Sequence, residues 1–181
     1  MVFSPYVLLD AGNFTDKDTL QGRLKADALL RSFSLIQYDA VAFLERENSF
    51  SEDFFPPLLR EYKTPALFGR SHSTVLKRDA FNINVSASPE KHIEGSLNIL
   101  LTSLPVSEAS LIKGWDVIIT SSGEKLDGPL TVNNTIIVAG YPQGEKLGIL
   151  TLRINSDGAA VISHSWQLLG IDTREDARVR D

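Results

Sequence analysis

The chain of 181 residues contains no cysteine. Disulfides, thiolate metal sites and a cysteine nucleophile are therefore excluded, while the compartment stays open. Histidine is scarce: His72, His92 and His164 are the whole set, and none lies within ligand-like spacing of another. Each reads as a loop or surface residue. Long apolar runs are also missing, since nothing approaches the roughly 20 residues needed to cross a bilayer. The opening Met1-Val2-Phe3-Ser4-Pro5-Tyr6 has neither a basic n-region nor a long apolar h-region, so it does not read as a signal peptide. A net charge of −5 argues against a general nucleic-acid binder, which needs a basic face against phosphates. No internal repeat, low-complexity tract or linker interrupts the chain.

What is present is ordinary globular material, with 43% hydrophobic and 23% charged residues. One domain over residues 1–181 is expected, with chain enough to bury a core. Tyr6-Val7-Leu8-Leu9 reads as a short buried strand ending in the turn Asp10-Ala11-Gly12-Asn13. Thr15, Asp16 and Asp18 offer N-caps for a helix through about Ser34, with an apolar face of Leu20, Leu24, Ala28, Leu29, Phe33 and Ile36. Gly22 weakens that helix. Tyr38 to Phe43 is the next strand, and strand–helix–strand implies a parallel βαβ unit.

Ser51 to Tyr62 predicts a short helix containing Pro56-Pro57. Thr74–Lys77 and Phe81–Ser86 predict a hairpin across Arg78-Asp79-Ala80. After a polar loop from Ser88 to Gly95, Ser96–Leu101 reads as a strand, Ser107–Ile112 as a helix capped by Ser107, and Asp116–Thr120 as a strand. The last third is β-rich in Thr131–Ala139, Leu147–Ile154 and Ala160–Leu169, with turns at Pro142-Gln143-Gly144 and Asn155-Ser156-Asp157-Gly158. α/β units come first, then, and an antiparallel meander closes the chain.

Three stretches, Leu8-Leu9-Asp10-Ala11-Gly12-Asn13-Phe14, Tyr38-Asp39-Ala40-Val41-Ala42 and Trp115-Asp116-Val117-Ile118-Ile119, stand in an order that resembles one known family. They are similar to the 5'-nucleotidase branch of the calcineurin-like metallophosphatases, and Val132 to Gly140 followed by Gly144 to Gly148 extends the likeness. The resemblance implies an α/β fold of two mixed β-sheets packed as a sandwich between helices. It also implies where two divalent ions would sit, at strand ends, clamping a phosphate and activating a bridging water.

Carried over position by position, that inventory is poor. The family's opening strand, ending in Asp-x-His, has no counterpart. The bridging Asp falls on Asn13. The Gly-Asn-His-Glu turn falls on Leu44-Glu45-Arg46-Glu47, so Glu45 replaces the Asn ligand and Arg46 the phosphate-contacting His. The Ser-His pair falls on Thr102-Ser103, and the final His-x-His on Ser122 and Glu124. A guanidinium repels a dication and stays charged, and the imidazoles that favour transition metals are gone. No metal or other cofactor is expected. Glu45, Arg46 and Glu47 are expected to form an internal salt-bridge set filling the vacated pocket.

The leading expectation is a catalytically inactive metallophosphatase-like domain serving as a binding or structural subunit. The absent strand would leave unpaired main-chain groups near Leu8 or Val41 and an apolar seam; the sheet rearranges, Val2-Phe3 and their neighbours fill it, or, the favoured resolution, another chain covers it. Related domains occur in exported proteins, some beside multihaem cytochromes. A protein partner such as a multihaem cytochrome or another redox-complex subunit, and a periplasmic or extracellular setting, follow by analogy. Two alternatives stay open: a phosphoester or nucleotide hydrolase using Asn13, Glu45 and Glu124 around one hard cation, and a small-anion or nucleotide binder using Arg46 and the Thr120–Gly123 turn. In that last reading His72 stands beside Arg70.

Overall fold

The computed structural model describes residues 5–68, 72–79, 81–141, 144–155, 158–170, 172–174 and 177–178. Val2, Phe3, Arg70, Ala80, Pro142, Gln143, Ser156 and Asp157, named above at the seam or in turns or sites, lie outside them, as does part of the charged tail.

β1 (Leu9–Asp10), α1 (Leu20–Ile36) and β2 (Ala40–Ala42) form the expected parallel βαβ unit, with β1 and β2 in register at Leu9↔Ala40. The cap of α1 is Thr19, whose Oγ1 accepts from the Gly22 amide at 3.1 Å, in place of the earlier candidates Thr15, Asp16 and Asp18. The buried stripe is also rotated from expectation. Gly22, Ala26, Leu30 and Phe33 face inward, while Leu20 and Leu24 are 79% and 63% exposed. Gly22 explains the rotation, because a Cβ there would stand 2.0 Å from the Lys17 carbonyl oxygen, so the bare backbone of the first turn packs against the incoming chain.

A single helical turn, α2 (Glu45–Asn48), and α3 (Phe55–Tyr62) follow, the latter with its proline pair in the first turn, where no amide partner is lost. The two-residue strand β3 (Ala66–Leu67) pairs with β2 and completes a parallel sheet ordered β1-β2-β3. On one face of this sheet, Val41 and Phe43 meet α1 and α3 in an aromatic core of Phe14, Phe33, Phe50 and Phe55.

The second sheet has six strands ordered β4-β5-β6-β7-β9-β8. β4 (Ser73–Arg78) and β5 (Phe81–Ser86) are the expected hairpin. β6 (Leu97–Thr102), β7 (Val117–Thr120) and β9 (Thr135–Ala139) run parallel to β5 and are buried almost throughout. Their apolar runs carry the sheet because both faces are covered. α4 (Val106–Ala109) begins after Pro105, not at Ser107, and covers the outer face with Trp115 and Ile118.

The stretch Thr131–Ala139 is two strands, β8 (Leu130–Val132) and β9, because Asn133 and Asn134 both take left-handed φ, +49° and +65°. That backbone closes a tight antiparallel turn. β10 (Lys146–Asn155) and β11 (Gly158–Leu168) make a long hairpin that pairs, among the described residues, with no other strand, so the closing region is not one continuous meander. Leu150, Leu152, Ile154 and Ala159 of the hairpin pack with Leu9, Ala40, Ala42 and Leu67 onto the inner face of the six-stranded sheet. The architecture is therefore a sandwich of sheet layers flanked by α1 and α3 on one side and α4 on the other. The main-chain groups of Leu8 and Val41 are satisfied, the Leu8 carbonyl accepting from Asp39 and the Val41 amide donating to Pro65. The open edge falls instead on Leu9. No helix among the described residues is long and apolar enough to cross a membrane.

Candidate functional site

The turn after β1 meets the carboxyl ends of β2 and β7, and the end of β7 is tied in turn to that of β6. Gly12 has φ +81°, and a Cβ on it would stand 2.8 Å from Leu44 Cγ and 2.9 Å from the Ala42 carbonyl oxygen. The Gly12 amide donates to Asp10 Oδ1 at 2.8 Å, and Asn13 follows with φ +59°. Two successive left-handed residues turn the chain so that three of its donors face one carboxylate.

That carboxylate is Glu47, which is fully buried. Its Oε2 accepts from the amides of Asn13 (2.9 Å) and Leu44 (3.0 Å), and its Oε1 from the amide and hydroxyl of Thr15 (3.0 and 2.9 Å). Glu47 thus ties the β1 turn to the β2 turn through charge-assisted hydrogen bonds. The expected internal salt-bridge set does not form: among the described residues no ion pair involves Glu45, Arg46 or Glu47. Main-chain amides supply the counter-dipoles that a guanidinium was expected to supply. The Arg46 side chain is exposed, as is Glu45.

Asn13 joins the layers. Its Oδ1 accepts from the Arg46 amide at 3.3 Å, and its Nδ2 donates to Ser121 Oγ at 3.3 Å and the Ser121 carbonyl at 3.5 Å. The Ser121 amide in turn donates to the Thr102 carbonyl at 2.8 Å. Of the residues singled out from the sequence, Asn13 and the main chain of Arg46 meet directly. Ser122 lies one residue beyond the serine that Asn13 touches. The Ser122 amide donates to Thr120 Oγ1 at 3.1 Å, and its Oγ accepts from the Glu124 amide at 3.4 Å. Glu124 Oε2 accepts from the Val106 amide at 2.6 Å, which ties it to the start of α4. Ser103 is half-buried just past β6.

Sequence reasoning left Asp10 out of the site and held Ser121 only as part of the Thr120–Gly123 turn. Burial raises the Asp10 carboxyl from its ordinary 3.8 to about 6; the Gly12 amide opposes the rise and the Glu47 charge adds to it. Burial also raises Tyr38, with the Asp10 charge contributing. The signal for this centre was the Asp-x-Gly-Asn turn itself, whose glycine and asparagine favour left-handed backbone.

This donor set does not fit a dinuclear metal centre. The amide of Asn13 is taken on both sides, Glu124 is turned to Val106, and Arg46 adds a fixed positive charge. Among the described residues no group of three or more histidine, aspartate or glutamate side chains is placed to hold a metal ion. His164 stacks edge-on against Trp166 at 5.0 Å, and His72 and His92 are exposed. Beside the junction, Thr15, Asp16, Lys17, Thr19, Gln21, Gly22, Arg46 and Ser49 line an open cleft of about 560 Å³. On its rim Lys25 holds Asp16 at 2.7 Å, which lowers the Asp16 carboxyl below its usual range.

With the strand ends, the two-layer core and the flanking helices in place, the fold is metallophosphatase-like. A solved structure similar to this chain is the Thermus thermophilus sulfate thiohydrolase SoxB in complex with glycerol, at a TM-score of 0.68 and 18% sequence identity. The likeness covers 90% of this chain but only 38% of that one, so this chain spans well under half of SoxB's length. Identity this low shows the fold alone. No family model and no curated protein matches the sequence.

Proposed function

We propose that residues 1–181 form one metallophosphatase-like domain that carries no two-metal chemistry and serves as a binding or structural subunit of a larger assembly. The observation that carries this reading is the Asn13–Arg46–Ser121 junction. Side-chain and main-chain groups at the strand ends spend their hydrogen bonds on one another, so the loops are joined where a reactive site would keep donors free for ions and substrate. The buried Glu47 locks the same loops from beneath. A partner from a redox assembly, such as a multihaem cytochrome, and an extracytoplasmic home remain analogies from the resemblance.

Hydrolysis assays on nucleotides and bis-aryl phosphates with added Mn²⁺, Zn²⁺ or Mg²⁺, paired with sizing of native material, test this reading. No turnover and a mass above the monomer support it. Turnover that follows the metal, or a clean monomer in native extract, contradicts it.

A second reading, a small-anion or nucleotide binder, is favoured by the cleft that Lys17, Thr19 and Arg46 line. There Arg46 makes no salt bridge among the described residues, although its charge acts on the Asp16 carboxyl in the same cleft. Nucleotide-dependent thermal stabilisation that disappears in Arg46→Ala supports it, and an unchanged melting temperature contradicts it.

A further inference from the structure

The layer carrying β1-β2-β3 and the β10–β11 hairpin is in two hydrogen-bonded pieces, although both pack into one core. They cross the same face of the six-stranded sheet side by side. The chain leading into β1 starts where the Tyr6 carbonyl accepts from Arg78 Nε at the end of β4, and the turn after β1 ends against Ser121 beyond β7. The hairpin runs from Lys146, over the Tyr141 ring beyond β9, to a tip whose Ile154 and Gly158 share a recess with Phe81, Leu97 and Asp116.

Main-chain accounting locates the open edge. The amides of Val41 and Phe43 donate to Pro65 and Leu67, so these residues turn toward β3 and the alternate residues Ala40 and Ala42 toward β1. On β1 the same alternation directs Leu8 and Asp10 to β2. The Leu8 carbonyl accepts from the Asp39 amide, and the Leu8 amide donates to the Asp39 carboxylate, each at 2.8 Å. Val7, Leu9 and Ala11 therefore turn their amides and carbonyls the other way, to an edge that pairs with no strand among the described residues. All three are half-buried and apolar, with side chains packed into the core. Unpaired main-chain groups beside a core are costly, and an open edge is a template for another strand.

We infer that the free edge of β1 is a docking site for an extended segment of a partner protein, which adds as a strand opposite Val7, Leu9 and Ala11. This rests on the proposal that the chain is a binding subunit, and it names the surface and the ligand chemistry. Because Val7, Leu9 and Ala11 pack into the core, the added segment is expected to be mainly apolar and about five residues long. Asp10 provides charge complementarity: its half-buried carboxyl has no cationic partner among the described residues, so one lysine or arginine in the segment would face it. A second copy of this chain could offer only one of its edge strands, and that occupant is an outcome of the test below. β6, β7 and β9, the strands buried on both faces, are each already paired on both edges.

The test uses a fluorescent peptide of about eight residues, built from valine, isoleucine and threonine with one lysine, and a twin N-methylated at alternate residues. Hydrogen exchange at Leu9 and Ala11 is followed in the full chain. The peptide at ten times its Kd is expected to slow exchange at both amides about tenfold, and the twin to leave them unchanged. Ala11→Pro removes one edge donor and is expected to weaken binding at least tenfold; the N-methylated twin decides the matter if that variant does not fold. The inference is overturned if the twin acts like the parent or if Ala11→Pro binds like the native chain. It is also overturned if both amides are already protected in the isolated chain, which would mean that its own leading residues or a second copy covers the edge. No slowing with peptide at about 1 mM, the weakest affinity of use here, overturns it too. Phosphoester turnover, by contrast, would overturn the subunit proposal and leave this edge measurement to be read as it stands.

Discussion

Asp10→Asn isolates one cost at the strand-end junction. In the native chain the Asp10 carboxylate accepts a single amide hydrogen bond, from Gly12, and lies near the buried Glu47 charge. Its folded value of about 6 against an ordinary 3.8 corresponds to roughly 2–3 kcal/mol at about 1.4 kcal/mol per pH unit. The folded protein holds this proton more tightly than the unfolded chain does. The Asp10 contribution to stability is therefore fully present below pH 3.8, declines as pH rises through that window, and becomes a net cost above about 6. Asparagine keeps Oδ1 for the Gly12 amide and removes the charge beside Glu47. Urea unfolding of both proteins across this range is the assay. The variant is expected to be roughly 2–3 kcal/mol more stable at neutral pH, with the difference vanishing below about pH 4. A variant less stable at neutral pH, or a difference that ignores pH, refutes the reasoning.

Further outcomes follow from the same packing. Glu47→Gln keeps one acceptor oxygen for four donors and aims an NH₂ at main-chain amides, so urea unfolding should show a loss of about 2–4 kcal/mol. Gly22→Ala gains about 1 kcal/mol of helix propensity but sets a Cβ 2.0 Å from the Lys17 carbonyl. Its thermal midpoint should fall, by an amount reflecting a net loss of roughly 1–3 kcal/mol. Asn134→Ala, at φ +65°, should cost about 1 kcal/mol by the same measurement, whereas Asn134→Gly should not.

The sequence made the central strands readable because their apolar runs have one explanation: Leu97–Leu101 and Val117–Ile119 must be covered on both faces. The Gly158 turn fixed the last hairpin in the same local way. Helix α1 misled because Leu20 and Leu24 fit an apolar period yet face outward, while the stripe that packs begins at a glycine. β3, at two residues, is too short to leave a periodic signal. At the candidate site, Asn13 and Arg46 could be placed together from the order of the strand ends. The partner serine could not, since Ser121 and Ser122 differ only in which way a strand end alternates. The role of Glu47 was hidden for a similar reason. Its four hydrogen bonds include contacts 32 and 34 residues away, and they exist only because Gly12 and Asn13 are left-handed.

Calorimetric titration of the metal-free chain with Mn²⁺ and Zn²⁺ tests the central claim most directly, because it reports on the strand-end groups with no substrate involved. The account predicts no saturable binding tighter than about millimolar and an unchanged affinity profile in Asn13→Ala. Two ions bound per chain at micromolar affinity or tighter, with binding lost in that variant, would contradict it.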